Sequence, residues 1–113
     1  MATTKKSIPS DVWPRRLKQA RLAAGLSQKE LGIAACIDPS VASTRVNRYE
    51  LGVHKADYQI AVQLAQVLAI PVAYLYCDDE ALASMLLAFH RASPSVRRRV
   101  QAIVHSSSAS SET

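Results

Sequence analysis

Apolar residues recur every three or four positions over most of the chain, which is the spacing of one face of an α-helix. In the first such segment the repeated positions are Trp13, Leu17, Ala20 and Ala24. Ser10 or Asp11 is a suitable N-cap before this segment, and Gly25 is a suitable stop after it. The pattern therefore predicts a first helix between these signals.

A second helix is predicted from a capping box and a short inner face. Ser27 is a suitable N-cap, and Glu30 stands three positions later, where its side chain can bond back to the N-cap backbone. The inner face is supplied by Leu31, Ala34 and Ala35. Gly32 inside this helix costs about 1 kcal/mol relative to alanine, and we expect a crossing helix to approach closely there.

The dipeptide Asp38-Pro39 predicts the start of a third helix, because an acidic N-cap followed by proline is a common beginning. This helix would end at Glu50 or Leu51, before Gly52. Its inward stripe is Ala42, Val46 and Tyr49. At about 100° per residue, the opposite face carries Ser40, Thr44, Asn47 and Arg48, with Ser43 and Arg45 on its flanks. Inert surface is usually richer in Glu and Lys, so this face is a candidate binding surface.

The second half of the chain continues the helical pattern. A fourth helix over 57–68 would bury Tyr58, Ala61, Leu64, Ala65 and Leu68. Pro71 opens a short fifth helix through Leu75. Asp78 or Asp79 would cap a sixth helix, whose apolar face is Leu82, Met85, Leu86 and Phe89. After Ser93-Pro94-Ser95, a short basic helix is predicted over 96–104.

These elements predict an all-α fold with four parts. Residues 1–9 form an N-terminal arm, 10–77 a domain, 78–105 a helical extension, and 106–113 a Ser-rich disordered tail. Composition agrees with this fold class, because only 5% of the 113 residues are aromatic and only three are glycine. A chain of this length is one ordinary domain.

The net charge of +5 is concentrated in the first half of the chain and indicates a polyanionic partner. Residues 1–60 hold ten Lys and Arg against five Asp and Glu. Cys36 and Cys77 lack CxxC spacing, so they are interpreted as reduced thiols of a cytoplasmic protein. No apolar segment follows Lys5 and Lys6, which argues against a signal peptide.

Other function classes are not supported by the sequence. The uncharged stretch 58–77 carries Gln59, Gln63 and Gln66 on one face and then Pro71, which favours an amphipathic helix over a membrane span. The three histidines are far apart, so no metal or other cofactor is expected. No nucleophile or phosphate-binding motif is present, so the chain is predicted not to be an enzyme.

Three segments, RLKQARLAAGLSQKEL, RVNRYELG and DYQIAVQLAQVLAIPVAYLY, carry a resemblance to a known family. Together they resemble the helix-turn-helix domain of Cro/phage-repressor-type (XRE-like) transcriptional regulators, over residues 12–76. The resemblance implies a five-helix lambda-repressor-like DNA-binding domain, followed here by one or two extra C-terminal helices. Between Leu31 and Glu50 the chain is longer than the family pattern by about one helical turn, which we interpret as an extended start of the third helix.

The resemblance also implies roles for individual residues. Bases of double-stranded DNA would be contacted by Ser40, Ser43, Thr44, Asn47 and Arg48. The DNA backbone would be contacted by Gln28, Lys29, His54 and Lys55. Arg21 and Glu50 match a pair that forms a structural salt bridge between the first and third helices of this family.

The resemblance further implies a homodimer that binds a palindromic operator and acts as a repressor. The candidate dimer surface is Leu82, Met85, Leu86 and Phe89. Two alternatives remain open at this point. One is an antitoxin or a controller protein of a restriction–modification system with the same domain. The other is a protein-interaction module that uses the C-terminal helix.

Overall fold

A computed structural model describes the backbone of residues 11–111 and the side chains of residues 11–107. The elements are α1 (Val12–Ala23), α2 (Gln28–Ala34), α3 (Ala42–Glu50), α4 (Tyr58–Leu68), a 3₁₀ helix (Val72–Tyr76), α5 (Glu80–Arg91) and α6 (Pro94–Ser111). The predicted all-α class is confirmed, with five helical segments followed by two further helices. The predicted arm at 1–9 and the alternative cap Ser10 lie outside the described residues.

The first five segments share one hydrophobic core. Each contributes a side chain with no exposed surface, namely Leu17, Leu31, Val46, Leu64 and Leu75. The extension differs, because α5 adds only Ala83 to this core and none of the described side chains of α6 is buried. The helices that contain the candidate binding residues are therefore fixed by a core to which the extension adds little.

Local signals set most helix boundaries as predicted. The Glu30 N–H donates to Ser27 Oγ (2.9 Å) and the Ser27 N–H donates to Glu30 Oε1 (2.8 Å), which confirms the capping box. Asp57 caps α4 and Asp79 caps α5, each with one carboxylate oxygen that accepts from the backbone N–H three residues later. Gly25 ends α1 with φ +72°, a conformation that glycine adopts without strain.

The predicted start of the third helix at Asp38-Pro39 is wrong, since α3 begins at Ala42. Asp38 Oδ1 accepts from the backbone N–H and the hydroxyl of Ser40 (2.8 and 2.7 Å), and the Asp38 carbonyl accepts from the Val41 N–H (3.0 Å). The carboxylate thus forms a local turn instead of capping a helix. The extra residues lengthen the α2–α3 connection, and Ser40 lies in that turn rather than on α3.

Further expectations differ from the structure. Ala24 and Ala34, predicted on the inward faces of the first two helices, are both exposed, because they lie at the ends of those helices. Tyr58 is 68% exposed, because the first position of α4 lies beyond the core that begins at Ala61. The helix expected over 96–104 begins at Pro94 and continues to Ser111, through part of the segment expected to be disordered. Proline suits a first helical position, and each residue added to a formed helix gains one hydrogen bond, so this helix extends further than its apolar pattern indicates.

A buried arginine joins α1 to the start of α5. Arg16 Nε donates to the Cys77 carbonyl (2.9 Å), its Nη1 lies 3.2 Å from Glu80 Oε2, and its guanidinium lies 5.2 Å from the Tyr74 ring centre. Burial lowers the pKa of Arg16, but hydrogen bonding to Glu80 and the charge of Glu80 outweigh it, so the net shift is upward. The same contacts, led by the hydrogen bond from Arg16, lower the pKa of Glu80.

The close approach expected at Gly32 is confirmed and gives a first prediction. A Cβ atom at this position would lie 2.7 Å from Ala42 Cβ, 3.0 Å from its carbonyl oxygen and 3.1 Å from its Cα. We expect Gly32→Ala to lower the free energy of unfolding by roughly 1–2 kcal/mol, because overpacking outweighs the gain in helix propensity. Urea denaturation measures this change.

The matched control is a double-mutant cycle with Ala42→Gly. Removing the Ala42 Cβ relieves the shortest of the three contacts, so the double variant should lose less stability than the sum of the single losses. If the two losses in free energy of unfolding simply add, the contact with Ala42 does not limit the size of the residue at position 32.

Candidate nucleic-acid interface

The α2–α3 pair presents one face of α3 to solvent. The inward residues Ala42, Val46 and Tyr49 are at most 3% exposed and hold this helix against the core. On the opposite side, the predicted base-reading residues of the helix are all exposed, namely Ser43, Thr44, Asn47 and Arg48. A straight helix with short polar groups and one guanidinium on its outer face suits the width of the DNA major groove.

A buried ion pair fixes the C-terminal end of α3 to α1. Arg21 Nε and Nη2 donate to the two carboxylate oxygens of Glu50, and Arg21 Nη1 donates to the Leu26 carbonyl (3.0 Å). The exposed fractions are 11% for the Arg21 side chain and 3% for that of Glu50. The hydrogen bond to Glu50 raises the pKa of Arg21 against the opposing effect of burial. The family resemblance implied this pair, and the structure places the two residues in contact.

Gln28 connects this ion pair to the exposed face of α3. Its Nε2 donates both to Glu50 Oε1 (3.1 Å) and to Asn47 Oδ1 (3.1 Å). The Asn47 amide is therefore oriented by a residue at the first position of α2. The family resemblance implied a phosphate contact for Gln28 and not this link. The i, i+3 spacing of Asn47 and Glu50 places them on one side of α3, but it carries no signal that Gln28 contacts both.

Arg45 supports the inner side of α3. Its guanidinium lies 5.8 Å from the Tyr49 ring centre and donates to the Tyr49 hydroxyl (2.9 Å). Tyr49 in turn meets Trp13 edge to face, with ring centres 6.1 Å apart. The Arg45–Tyr49 contact lies within α3, and the Tyr49–Trp13 contact joins this helix to α1. Arg48, by contrast, makes no side-chain hydrogen bond or ion pair within residues 11–107 and extends into solvent.

The predicted DNA-backbone residues lie on both sides of α3 in sequence. Lys29 is exposed on the first turn of α2. His54 and Lys55 are exposed in the segment between α3 and α4, just after Gly52, which ends α3 with φ +74°. Positive charge thus precedes and follows the outer face of α3 along the chain. Such an arrangement can bind phosphates while α3 contacts bases.

Other kinds of site find no support in residues 11–111. This part of the chain contains no group of three or more His, Cys, Asp or Glu side chains that could hold a metal ion. None of its helices combines the length and the apolar character that crossing a membrane requires. The two cysteines are free thiols.

Comparisons with known proteins agree with this geometry. The helix-turn-helix family model HTH_3 matches residues 17–75, which includes α1 from Leu17 onward, α2, α3, α4 and most of the 3₁₀ helix. The solved structure of the transcriptional regulator BswR is similar, with a TM-score of 0.77, 38% sequence identity and coverage of 82% of this chain and 92% of that one. No curated protein sequence matches the chain significantly. The chain therefore belongs to the XRE-type helix-turn-helix family of DNA-binding transcriptional regulators.

Proposed function

We propose that the protein is a repressor that binds a palindromic operator as a homodimer, with one α3 helix in each of two major grooves. The outer face of α3 carries this proposal, because four exposed polar side chains stand on a helix that is fixed by buried contacts. Repression would follow from blocking a promoter, in the cytoplasm where the operator lies.

Within this proposal, Arg48 and Asn47 read bases and Thr44 and Ser43 add contacts to base edges. The Arg48 guanidinium can donate twice to guanine O6 and N7. Asn47 can pair with adenine N6 and N7, and its Oδ1 has a second lone pair beside the one used by Gln28. A base contact by Ser40 stays a prediction and would have to come from the turn before α3.

Phosphate binding supplies most of the affinity in this proposal. Lys29, Lys55 and His54 are exposed and flank α3 in sequence, so they suit contacts that do not depend on base identity. Gln28 has its amide nitrogen committed to Asn47 and Glu50, which leaves its carbonyl oxygen and not its N–H groups for other partners. We therefore propose that Gln28 acts mainly by positioning Asn47.

The dimer surface proposed for the extension is the groove between α5 and α6. Leu82 and Met85 are 54% and 53% exposed, and Leu86 and Phe89 line the same groove. Val100 and Val104 of α6 form its other wall. Exposed apolar rows of this kind mark interaction sites, and a second copy of the chain would bury both walls.

Met85→Asp tests the homodimer. We expect it to convert a dimer to a monomer in sedimentation velocity, because an aspartate at this position would be buried without a partner in the interface. Ser84→Asp is the matched control, since Ser84 is exposed on the other side of α5 and should leave the dimer intact. A full-length protein that sediments as a monomer, or an M85D variant that stays dimeric, contradicts this surface.

The operator is tested by selecting bound duplexes from a random DNA pool. We expect a two-fold-symmetric motif that binds at least about a thousandfold more tightly than random DNA. The affinity should fall steeply with salt, because counterions are released from neutralised phosphates. Salt-sensitive binding without an enriched motif would overturn the repressor proposal and favour a protein-interaction module instead.

A further inference from the structure

A cavity of about 430 Å³ lies on the side of the domain formed by the first turn of α1, the α3–α4 segment and the 3₁₀ helix. It is separate from the exposed face of α3 and from the α5–α6 groove. Its volume falls within the range typical of sites for small organic molecules. DNA reading by α3 does not require this cavity.

Three aromatic side chains form part of the cavity wall. Trp13, Tyr49 and Tyr76 line it, and the first two already pack edge to face. Trp13 Nε1 is buried and has no hydrogen-bond partner among the described residues. Burying an indole N–H without an acceptor is unfavourable, so a shift of the Trp13 ring that brings Nε1 to a ligand oxygen in the cavity would be favoured. The walls thus favour a planar ring attached to a polar group.

Two oppositely charged side chains at the cavity limit the class of ligand further. Lys55 and Asp78 both line the cavity, yet neither forms an ion pair with the other or with any other described residue. A simple aromatic acid would be attracted by Lys55 and repelled by Asp78, and an aromatic amine would meet the reverse. A molecule that carries both an ammonium and a carboxylate is complementary to both residues.

We propose that this cavity binds a free aromatic amino acid. Its ring lies among Trp13, Tyr49 and Tyr76, its carboxylate pairs with Lys55, and its ammonium pairs with Asp78. A carboxylate oxygen supplies the acceptor that Trp13 Nε1 lacks once the indole ring shifts toward the cavity. His54, which also lines the cavity, offers a further donor beside the carboxylate.

The indole N–H of Trp13 provides a direct measurement, because Trp13 is the only tryptophan in the chain. L-Phenylalanine added to the full-length protein should shift its ¹⁵N–¹H resonance in a saturable way. 3-Phenylpropionate lacks the ammonium and phenethylamine lacks the carboxylate, and each should bind at least about tenfold more weakly than L-phenylalanine. Equal binding of one of these analogues, or no saturation by any of the three, would overturn the proposal.

Variants of Lys55 and Asp78 test which charged group of the ligand each residue binds. Lys55→Met should weaken L-phenylalanine at least about tenfold but not phenethylamine, because the substitution removes a charge that repels this amine. Asp78→Asn should likewise weaken L-phenylalanine but not 3-phenylpropionate, which Asp78 repels. Lys29→Met is the matched control, because Lys29 is equally exposed but lies away from the cavity. Two other outcomes would contradict the proposal if L-phenylalanine does not shift the indole resonance. A shift with protein concentration would assign the cavity to a second copy of the chain, and a shift on removal of residues 1–10 would assign it to the N-terminal segment.

A second readout connects the cavity to DNA and rests on the proposed function. Lys55 cannot pair fully with a carboxylate and a phosphate together, so saturating L-phenylalanine should weaken DNA binding by about three- to tenfold, and DNA should weaken L-phenylalanine by the same factor. If the protein does not bind an operator, the indole titration still decides whether the cavity binds the amino acid. An indole shift without any effect on bound DNA would remove the coupling and keep the site.

Discussion

Replacing Glu50 with alanine is expected to lower the free energy of unfolding by about 3–5 kcal/mol, which is a large part of the stability of a domain this size. The substitution removes the partner of a guanidinium whose side chain is 11% exposed. Arg21 would keep only the Leu26 carbonyl as an acceptor, and Gln28 would lose one of its two acceptors. Urea denaturation followed by far-UV circular dichroism measures the loss.

Two comparisons separate the ion pair from a general effect of mutation. Removing both charges, with Arg21→Met and Glu50→Leu together, should restore most of the stability, because well-packed apolar groups commonly replace buried ion pairs without loss. Asp11→Asn removes a carboxylate from an exposed pair with Arg15 and should change stability by less than about 1 kcal/mol. A cost for Glu50→Ala as small as that of Asp11→Asn would contradict the assigned role of the pair.

Arg48→Ala should weaken binding to the selected operator by about 1–3 kcal/mol for each half-site, and relax the preference at one base position. The reason is that only the bidentate guanine contact is lost, while phosphate contacts remain. Because the Arg48 side chain is exposed and makes no contact that holds α3, the stability of the protein should be unchanged. Fluorescence anisotropy with operator and random duplexes measures both affinities.

Lys55→Ala is the matched variant for a phosphate contact. It should weaken operator and random DNA alike and reduce the slope of log affinity against log salt by about 1. If Arg48→Ala lowered the two affinities equally, Arg48 would belong with the backbone contacts and not with the base-reading residues. The pair of variants therefore distinguishes sequence reading from charge.

Helix boundaries were predictable where the cap or stop residue can play only one local role. Ser27 and Glu30 form a capping box, and Gly25 ends α1 as expected. The start of α3 was not predictable, because the carboxylate of Asp38 can cap a helix or close a turn, and the two uses have the same sequence signal. Ile37, just before this turn, is 5% exposed, so the turn is formed together with burial of Ile37 in the core.

The exposed face of α3 was predictable in outline, since it follows from helical periodicity, and its contact with DNA stays a prediction. The link from Gln28 to Asn47 could not be predicted, because it depends on how closely α2 and α3 pack, and residues 19 positions apart carry no local signal of contact. The cavity beside Trp13 was missed for the same reason. Its lining comes from three separate stretches of the chain, and the sequence pattern placed Trp13 only on the apolar face of the first helix.

The chain of contacts from Arg21 through Glu50 and Gln28 to Asn47 divides the outer face of α3 into two kinds of position. Asn47 is joined to the buried ion pair, so a change there disturbs the scaffold together with the proposed base contact. Thr44 and Arg48 have no such connection among the described residues and can be exchanged at little cost in stability. New operator preferences are therefore most accessible, to natural variation and to protein engineering alike, through positions 44 and 48.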